Sequence, residues 1–437
     1  MQTRTWFRIH SFTGVITGLL LFVVCWSGTV ATLAHELDWL VTPAARTAEA
    51  HEVVDWDAVL AGVRSRYPEA QVSWLVAPRY SHSAVEAVVE PAGGPWRRLY
   101  VNPVNGVVQG ESSYLTVQRF FRSFHRRLFL PNPWGVYLVA LFSVTLMVSV
   151  IAALNFYKRW WRRFFSFRAS SGRRLWSELH KTGGLWGLWF ALLMGVTGIW
   201  YGLEATRLPQ KLFATETERP DPPAVESPKS LGRLVDAAQQ VRPGLTIKRL
   251  YPPGSFYGEG LVAMGQADDW LVRDRVNYAA IAADGEVVAT QSGSDLTAYE
   301  YWVNMADPLH FGDFGGLVSK AIWFVFGLVL CGLVLTGTWL HAYRLAMSAG
   351  GRARHRWPGT LAAILVSLLV LALSVPYGFM EAQSYAVHGG FFGLPDVKPG
   401  VAAVILGWIV LTLVLLGAWV VLLWRPHLMQ RKGPTAN

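Results

Sequence analysis

The chain alternates between long uncharged apolar runs and polar segments rich in turn residues. Apolar runs occupy about residues 11–34, 134–156, 183–203, 317–340, 360–380 and 401–424. Each run is close to the roughly 20 residues that an α-helix needs to cross a bilayer, so the pattern predicts six transmembrane helices. The first run is longer than the apolar region of a cleaved signal peptide, and we expect it to remain as a span.

Two polar segments, about 37–118 and 204–316, are long enough to fold outside the bilayer. In the first, the periodicity predicts a helix over 56–66 and strands near 71–76, 84–89 and 98–101, with a hairpin turn at Asn105-Gly106. In the second, it predicts a helix ending near Pro243, strands near 246–250, 261–264 and 278–282, and a turn at Asp284-Gly285. Each segment is predicted to be a small α+β domain.

The two polar segments and the spans around them resemble each other. VLAGVRSRYPEAQVSWLVAP around Pro68 matches LVDAAQQVRPGLTIKRLYPP around Pro243, and Ser27-Gly28 aligns with Thr197-Gly198. The first four spans are therefore predicted to be a parallel internal repeat, in which both copies start on the same side of the membrane. The fold class is a mostly α membrane protein with six spans, in which spans five and six have no counterpart.

The repeat aligns histidines at both membrane faces. IHSFTGVITG at 9–18 matches LHKTGGLWGLW at 179–189, which places His10 opposite His180. His125, before the second span, aligns with His310, before the fourth. A histidine beside a span is costly unless it is paired, wetted or bound to a metal, so these two pairs are candidate functional sites.

Charge fixes the predicted orientation. The net charge is +10, and basic residues cluster at one set of span ends: Arg4, Arg8, Lys158, Arg159, Arg162, Arg163, Arg168, Arg173, Arg174, Lys181, Arg344, Arg352, Arg354, Arg356, Arg425, Arg431 and Lys432. By the positive-inside rule these ends and both termini are cytoplasmic. Four arginines face outward against this rule, where they could attract an anion: Arg119, Arg122, Arg126 and Arg127.

The predicted organisation follows from the spans and the repeat. It comprises a first transmembrane helix (1–36), an outer domain (37–118), a second span with its preceding outer segment (119–157), a basic cytoplasmic loop (158–182), a third span (183–203), a second outer domain (204–316), a fourth span (317–343), spans five and six (357–424) and a cytoplasmic tail (425–437). The chain carries no nucleotide-binding loop, dinucleotide fingerprint or catalytic triad motif.

Two imidazoles that face each other in an apolar bundle suit a six-coordinate haem iron. Zinc would need four ligands, and copper would usually add cysteine or methionine. The only two cysteines lie inside apolar spans, and we interpret them as core residues. Glycines one turn or so from the His10/His180 pair either leave room for a flat macrocycle or let helices pack closely: Gly14, Gly18, Gly183, Gly184 and Gly187.

Two further histidines compete for the same positions. His35 ends the first span at the outer face, and His341 ends the fourth span at the inner face. The pairings His35 with His125 and His180 with His341 are therefore open, and so is a third haem. The candidate haem-iron ligands are His10, His35, His125, His180, His310 and His341.

The residues from about 4 to 344 resemble the PepSY-associated transmembrane family. The resemblance is carried by IHSFTGVITG with SGTVATLAHELD, by FHRRLF, by LHKTGGLWG with TGIWYGLE, and by DPLHFGDFGG with LTGTW. It implies periplasmic PepSY domains on a bacterial inner membrane, two b-type haems held by histidines, and electron flow from cytoplasm to periplasm. The implied acceptor is a ferric siderophore, with a cytoplasmic flavoprotein reductase or a quinol as donor. The alternative is a non-enzymatic PepSY scaffold or regulatory protein in iron or metal uptake.

Overall fold

The computed structural model describes residues 2–92, 94–167, 171–213, 220–223, 225, 227–267, 269, 271–348, 360–385 and 396–431. Its helices are α1 (Thr3–Ile16), α2 (Gly18–Ala31), α3 (Ala34–Val41), α4 (Trp56–Arg66), α5 (Val117–Arg127), α6 (Trp134–Phe156), α7 (Gly172–Trp186), α8 (Leu188–Ala205), α9 (Leu208–Phe213), α10 (Leu231–Val241), α11 (Ala298–Phe311), α12 (Gly316–Ser348), α13 (Thr360–Gln383) and α14 (Pro399–Arg431). Its strands are β1 (Gln71–Val76), β2 (Val85–Glu90), β3 (Arg97–Val101), β4 (Val108–Ser113), β5 (Thr246–Tyr251), β6 (Leu261–Gln266), β7 (Asn277–Ile281) and β8 (Val287–Gln291). The predicted basic residues Arg168, Arg352, Arg354, Arg356 and Lys432 lie outside the described residues.

The protein is a multi-pass membrane protein. Within the described ranges, five helices are long and apolar enough to cross a bilayer, namely α6, α8, α12, α13 and α14. The pair α1 and α2 passes the same test together, but the two helices meet at 68°. This pair falls in the region where the apolar pattern predicted one straight first span.

Threonine hydroxyls accompany the bend between α1 and α2. The Thr17 hydroxyl donates to the Thr13 carbonyl at 2.8 Å, and the Thr13 hydroxyl donates to the Ile9 carbonyl at 3.0 Å. Such bonds compete with the backbone ladder and bend helices. A second break lies at Gly187, between α7 and α8, so the third span begins at Leu188 and not at residue 183.

The two polar segments share a single antiparallel sheet. Its eight strands run in the order β4-β3-β2-β1-β5-β6-β7-β8, and the halves meet where Leu75 pairs with Leu250 and Val76 with Arg249. Six of the strands lie within a few residues of the sequence predictions. The two segments therefore do not form separate sheets, because the free edges of β1 and β5 pair with each other.

Helices α4 and α10 cover one face of this sheet. Val59, Val63 and Leu234 are fully buried there against Leu75 and Leu250, in a core built from both segments. The predicted helix over 56–66 is confirmed as α4. The opposite face of the sheet is turned toward the membrane helices, and α3 packs against it.

The membrane helices of the two halves of the chain pack against each other. Helix α6 packs on α1 of its own half and on α8 of the other, while α12 packs on α7 of its own half and on α2 of the other. Helices α13 and α14 add to one flank, where they contact α1, α2, α3, α5 and α12. We call the membrane face next to the sheet the sheet side, and the opposite face, next to residues 157–167, the loop side.

Candidate functional site

The structure brings the four repeat-aligned histidines together as two pairs. On the loop side, α1 and α7 place the rings of His10 and His180 with their centroids 6.2 Å apart. On the sheet side, α5 and α11 place the rings of His125 and His310 with their centroids 6.1 Å apart. We call these the loop-side pair and the sheet-side pair.

In the loop-side pair each imidazole is held through Nδ1. His10 Nδ1 lies 2.8 Å from the Ser149 hydroxyl and 3.0 Å from the Ser149 carbonyl oxygen, and His180 Nδ1 lies 2.9 Å from the Thr336 hydroxyl. An N–H that donates from Nδ1 leaves the Nε2 lone pair available to a metal, which is the usual arrangement around metal-binding histidines.

The sheet-side pair is held in the same way. His125 Nδ1 donates to the Val24 carbonyl at 2.9 Å and lies 3.5 Å from the Ser27 hydroxyl. His310 Nδ1 lies 2.8 Å from the Thr197 hydroxyl. Among the described residues, no hydrogen bond involves Nε2 of any of the four paired histidines.

Sequence reasoning missed these hydroxyl partners, although a signal for two of them was present. Ser27 and Thr197 occupy aligned positions in the repeat, each followed by glycine. Hydroxyl residues at aligned positions in two apolar spans indicate that each half of the chain makes the same hydrogen bond. Ser149 and Thr336 carry no comparable signal, because serine and threonine often bond the preceding turn of their own helix.

A cavity of about 430 Å³ adjoins the loop-side pair. Both histidines line it, together with Gly14, Gly184 and Gly337. A Cβ added at Gly14 would meet nothing within 4 Å, whereas one at Gly337 would lie 3.0 Å from His180 Cε1. The predicted use of glycine to leave space near the pair therefore agrees with the geometry at Gly14.

The rim of the cavity is basic. Arg173 and Arg344 line it, and neither forms an ion pair with an acidic side chain in the described part of the chain. The third lysine or arginine of the lining, Lys181, lies 2.9 Å from Glu178. Arg344 donates to the Leu340 carbonyl at 3.3 Å, and the two arginines lie over the rings of Phe7 and Tyr343, but no carboxylate balances their charge in the described ranges.

His35 and His341, the alternative ligands predicted from the sequence, belong to neither pair. The Arg79 guanidinium donates to His35 Nε2 at 3.4 Å, and burial, together with Arg79 and Lys320, holds the pKa of His35 well below its usual range. His341 is buried on α12, and the cavity lining includes its neighbours Leu340 and Arg344 but not His341 itself. The pairs in the structure are thus the symmetric ones.

Glycine and an ion pair shape the surroundings of His125. A Cβ added at Gly28 would lie 2.6 Å from His125 Cε1, so only glycine admits the ring there. Glu381 of α13 accepts from the Ser123 hydroxyl at 2.6 Å and from the Arg127 guanidinium at 2.6 Å. Ser123 and Arg127, one on each side of His125, are therefore bonded to α13.

His310 is surrounded by a different network. The ring of Tyr201 lies 5.2 Å from the His310 ring, and the Tyr201 hydroxyl donates to Asp307 at 2.7 Å. Asp307 also forms a close ion pair with Arg273. The helix that carries His310 is thus fixed by residues of its own half of the chain.

Each pair offers two imidazoles and no further ligand. In the described ranges, no three histidine, cysteine, aspartate or glutamate side chains come together as a metal site. Two opposed imidazoles suit a metal whose other ligands arrive with it.

Comparison with known proteins agrees with this architecture. A family model for the PepSY-associated transmembrane region matches residues 7–344, which include all four paired histidines. The chain is also similar to an uncharacterized protein of Pseudomonas aeruginosa, with 28% identity over 314 residues that cover 64% of this chain and 78% of the relative. The chain belongs to the PepSY-associated transmembrane family.

Proposed function

We propose that the protein is a dihaem electron carrier of the bacterial inner membrane that reduces a ferric siderophore in the periplasm. The observation that carries this proposal is the paired histidines at both ends of the helices. Bound haem would supply one-electron transfer at its iron, and each pair would hold one haem through its two imidazoles. In this proposal six spans cross the bilayer, with α1 and α2 together forming the first.

The ring separations support haem. Two imidazoles that hold one metal ion from opposite sides, with metal–nitrogen distances of about 2.0 Å, would have their ring centres roughly 6 Å apart. The observed separations are 6.2 Å and 6.1 Å. The Nδ1 bonds would orient each ring and raise its basicity.

The loop-side cavity also supports bound haem. Gly14 and Gly184 line an apolar space beside the pair, and Arg173 and Arg344 would hold the propionate carboxylates of a haem at its rim. The apolar lining would exclude water from the iron, which tunes its potential.

The internal repeat supports pairs built from one histidine of each half of the chain. The breaks at Thr17 and Gly187 each follow their histidine by seven residues, and the sheet order is the same outward from β1 and from β5. An approximate two-fold axis along the membrane normal relates these features.

The proposed direction follows from charge. By the positive-inside rule, the positive residues at the loop side favour a cytoplasmic loop side and a periplasmic sheet. A cytoplasmic flavoprotein reductase or a quinol would supply one electron to the loop-side pair. The acceptor would gain that electron as its ferric iron becomes ferrous, and the ferrous iron would leave the chelate.

Absorption spectroscopy tests the proposal. Protein purified from haem-replete cells should give split α bands after reduction with dithionite, and His10→Ala or His180→Ala should remove one component while His125→Ala or His310→Ala removes the other. His35→Ala and His341→Ala should keep both components, as should the exposed control His82→Ala. A colourless preparation contradicts the proposal.

A further inference from the structure

The membrane-facing side of the sheet is unusual in carrying aromatic and cationic side chains at its centre. Leu75 and Leu250 point into the core under α4 and α10, so strand alternation turns Trp74, Arg249 and Tyr251 to the opposite face. These residues lie where β1 and β5 meet, on the line that separates the two halves of the sheet.

The aromatic rings there form a continuous group. Trp74 lies 5.2 Å from Trp96 and 6.5 Å from Tyr251, and Tyr251 lies 4.6 Å from Tyr257, measured between ring centroids. The Arg249 guanidinium lies 6.0 Å from the centre of the Trp74 ring. These four rings are all half-buried, so part of each remains open to a ligand.

Two of the outward arginines are occupied by the protein itself. Arg119 donates to the Tyr385 hydroxyl at 3.1 Å and lies 4.7 Å from the centre of the Tyr114 ring. Arg127 is paired with Glu381. Neither is therefore free to take an external anion.

The other two form no ion pair. Arg122 and Arg126 are exposed, and within the described ranges neither they nor Arg249 pairs with an acidic side chain. Arg249 donates to the Tyr251 hydroxyl at 3.4 Å. Glu204 is a nearby carboxylate, but it forms no ion pair with these arginines in the described ranges.

Helix α5 brings its arginines toward the aromatic group. Arg122 and Arg126 follow Arg119 at helical spacing, and Arg119 lies 4.7 Å from the centre of the Tyr114 ring. The Tyr114 ring lies 6.4 Å from the Trp74 ring. Several cations thus lie close to one group of rings.

This space reaches the sheet-side pair. Arg122 and Arg126 lie on either side of His125 on α5, and the His125 ring lies 6.1 Å from the His310 ring. We call the space bounded by Trp74, Arg122, Arg126, Arg249 and Tyr251 the cleft. A ligand in the cleft would be next to the histidines that the proposed function assigns to electron delivery.

We infer that the cleft binds a net-anionic ferric chelate whose iron ligands are aryl groups, such as catecholates or phenolates. Arginine recognises the anionic oxygens, and the faces of Trp74 and Tyr251 suit stacking with flat aryl rings. A cationic chelate would be repelled because arginines outnumber carboxylates around the cleft. This inference rests on the proposed function for the reduction step, but not for the binding.

Calorimetry with redox-inert gallium tests the binding alone. The purified full-length protein in detergent is titrated with gallium tris-catecholate, with gallium citrate, and with the gallium complex of a trihydroxamate that carries a free ammonium. The expected order of affinity is catecholate, then citrate, then the cationic complex, with at least about a tenfold difference between first and last. Equal affinity for the anionic and cationic complexes, or no binding of any of them, overturns the inference.

Matched substitutions locate the site. Arg122→Gln and Arg249→Gln should each weaken catecholate binding about fivefold, whereas Arg64→Gln and Arg233→Gln, exposed on α4 and α10 over the other face, should leave it unchanged. Trp74→Leu should weaken the catecholate complex more than the citrate complex. Equal losses in the cleft and control variants would place the binding elsewhere and overturn the inference.

The two proposals fail separately in this design. Gallium is not reduced, so a colourless protein that still selects the anionic complex contradicts only the proposed function. A red protein that shows no such selection contradicts only the inference. Gel filtration and melting of each variant confirm that it is folded.

Discussion

The two histidine pairs have nearly the same ring separation but different surroundings. The loop-side pair adjoins a cavity of about 430 Å³ with a basic rim, and the Cβ position of Gly14 is empty. At the sheet-side pair a Cβ added at Gly28 would lie 2.6 Å from His125 Cε1, so no such space is left there. The ring separation is therefore nearly the same at both ends, while the space and the packing around the rings differ.

Helices α13 and α14 account for part of this difference. Trp408 of α14 lies 5.2 Å from Phe121 and 5.4 Å from Phe124 on the helix that carries His125, and Glu381 of α13 binds Ser123 and Arg127 of the same helix. The helix that carries His310 is held instead by Tyr201 and Asp307. Helices α13 and α14 thus stabilise the helix that carries His125 and make no comparable contact with the helix that carries His310 in the described ranges.

The largest expected effect comes from filling the space beside His125. In Gly28→Ala the new Cβ would lie 2.6 Å from the ring, so His125 must move and the sheet-side spectral component should fall at least about tenfold in occupancy. Gly14→Ala is the control at the loop-side pair, where the Cβ has room. Absorption spectra normalised to protein concentration measure the occupancy of both components. Equal losses in the two variants would contradict the difference in packing between the two pairs.

The next effect concerns the ion pair of α13. Glu381→Gln removes the partner of a partly buried Arg127 and should cost about 2–3 kcal/mol of stability. It should also shift the redox potential of the sheet-side component and leave the other unchanged. Glu178→Gln, which breaks the more exposed pair with Lys181, should change the melting temperature little.

The hydroxyl partners of the imidazoles give a smaller effect. Thr197→Val removes the 2.8 Å contact to His310 and should weaken cofactor retention at the sheet-side pair by about tenfold. Ser27→Ala removes only a 3.5 Å contact to His125, which keeps the Val24 carbonyl, so its effect should be smaller. The amount of haem that each variant retains over a series of mild denaturant concentrations decides the order of the two effects.

The smallest effect is a pH dependence at the base of the sheet. Asp38 accepts from the backbone N–H groups of Val117 and Gln118, and burial, the dominant cause, raises its pKa to about 6. The folded state therefore binds this proton more tightly than the unfolded state, and stability falls as pH rises from about 4 to about 6. The melting temperature should drop by a few degrees over this window, and Asp38→Asn should flatten that dependence.

The sequence was most informative where a physical period or a duplication was present. Apolar runs located the spans, alternation located six strands, and the repeat aligned His10 with His180 and His125 with His310. The depth of a residue along a span is readable from the chain, but its direction around the helix is not. For this reason His35 and His341 competed at the sequence level, and only packing places His35 against Arg79.

Features that depend on contacts between distant segments could not be predicted. The joining of β1 to β5 needs knowledge of which strand edges are free, and neither edge differs in composition from the others. The binding of Glu381 to Ser123 and Arg127 spans more than 250 residues of sequence. The bend at Thr17 lies inside an apolar run whose hydropathy alone predicts a straight helix.

The junction of β1 and β5 has a consequence for the ancestry of the fold. An antiparallel contact between strand edges is what a two-fold axis perpendicular to a sheet produces, and it can form equally between two separate copies of one half. A chain truncated to a single half would expose the β1 edge and should assemble into homodimers through it. Within one chain that contact is intramolecular and independent of concentration, so the two halves need not be identical, and the surroundings of His125 and His310 indeed differ.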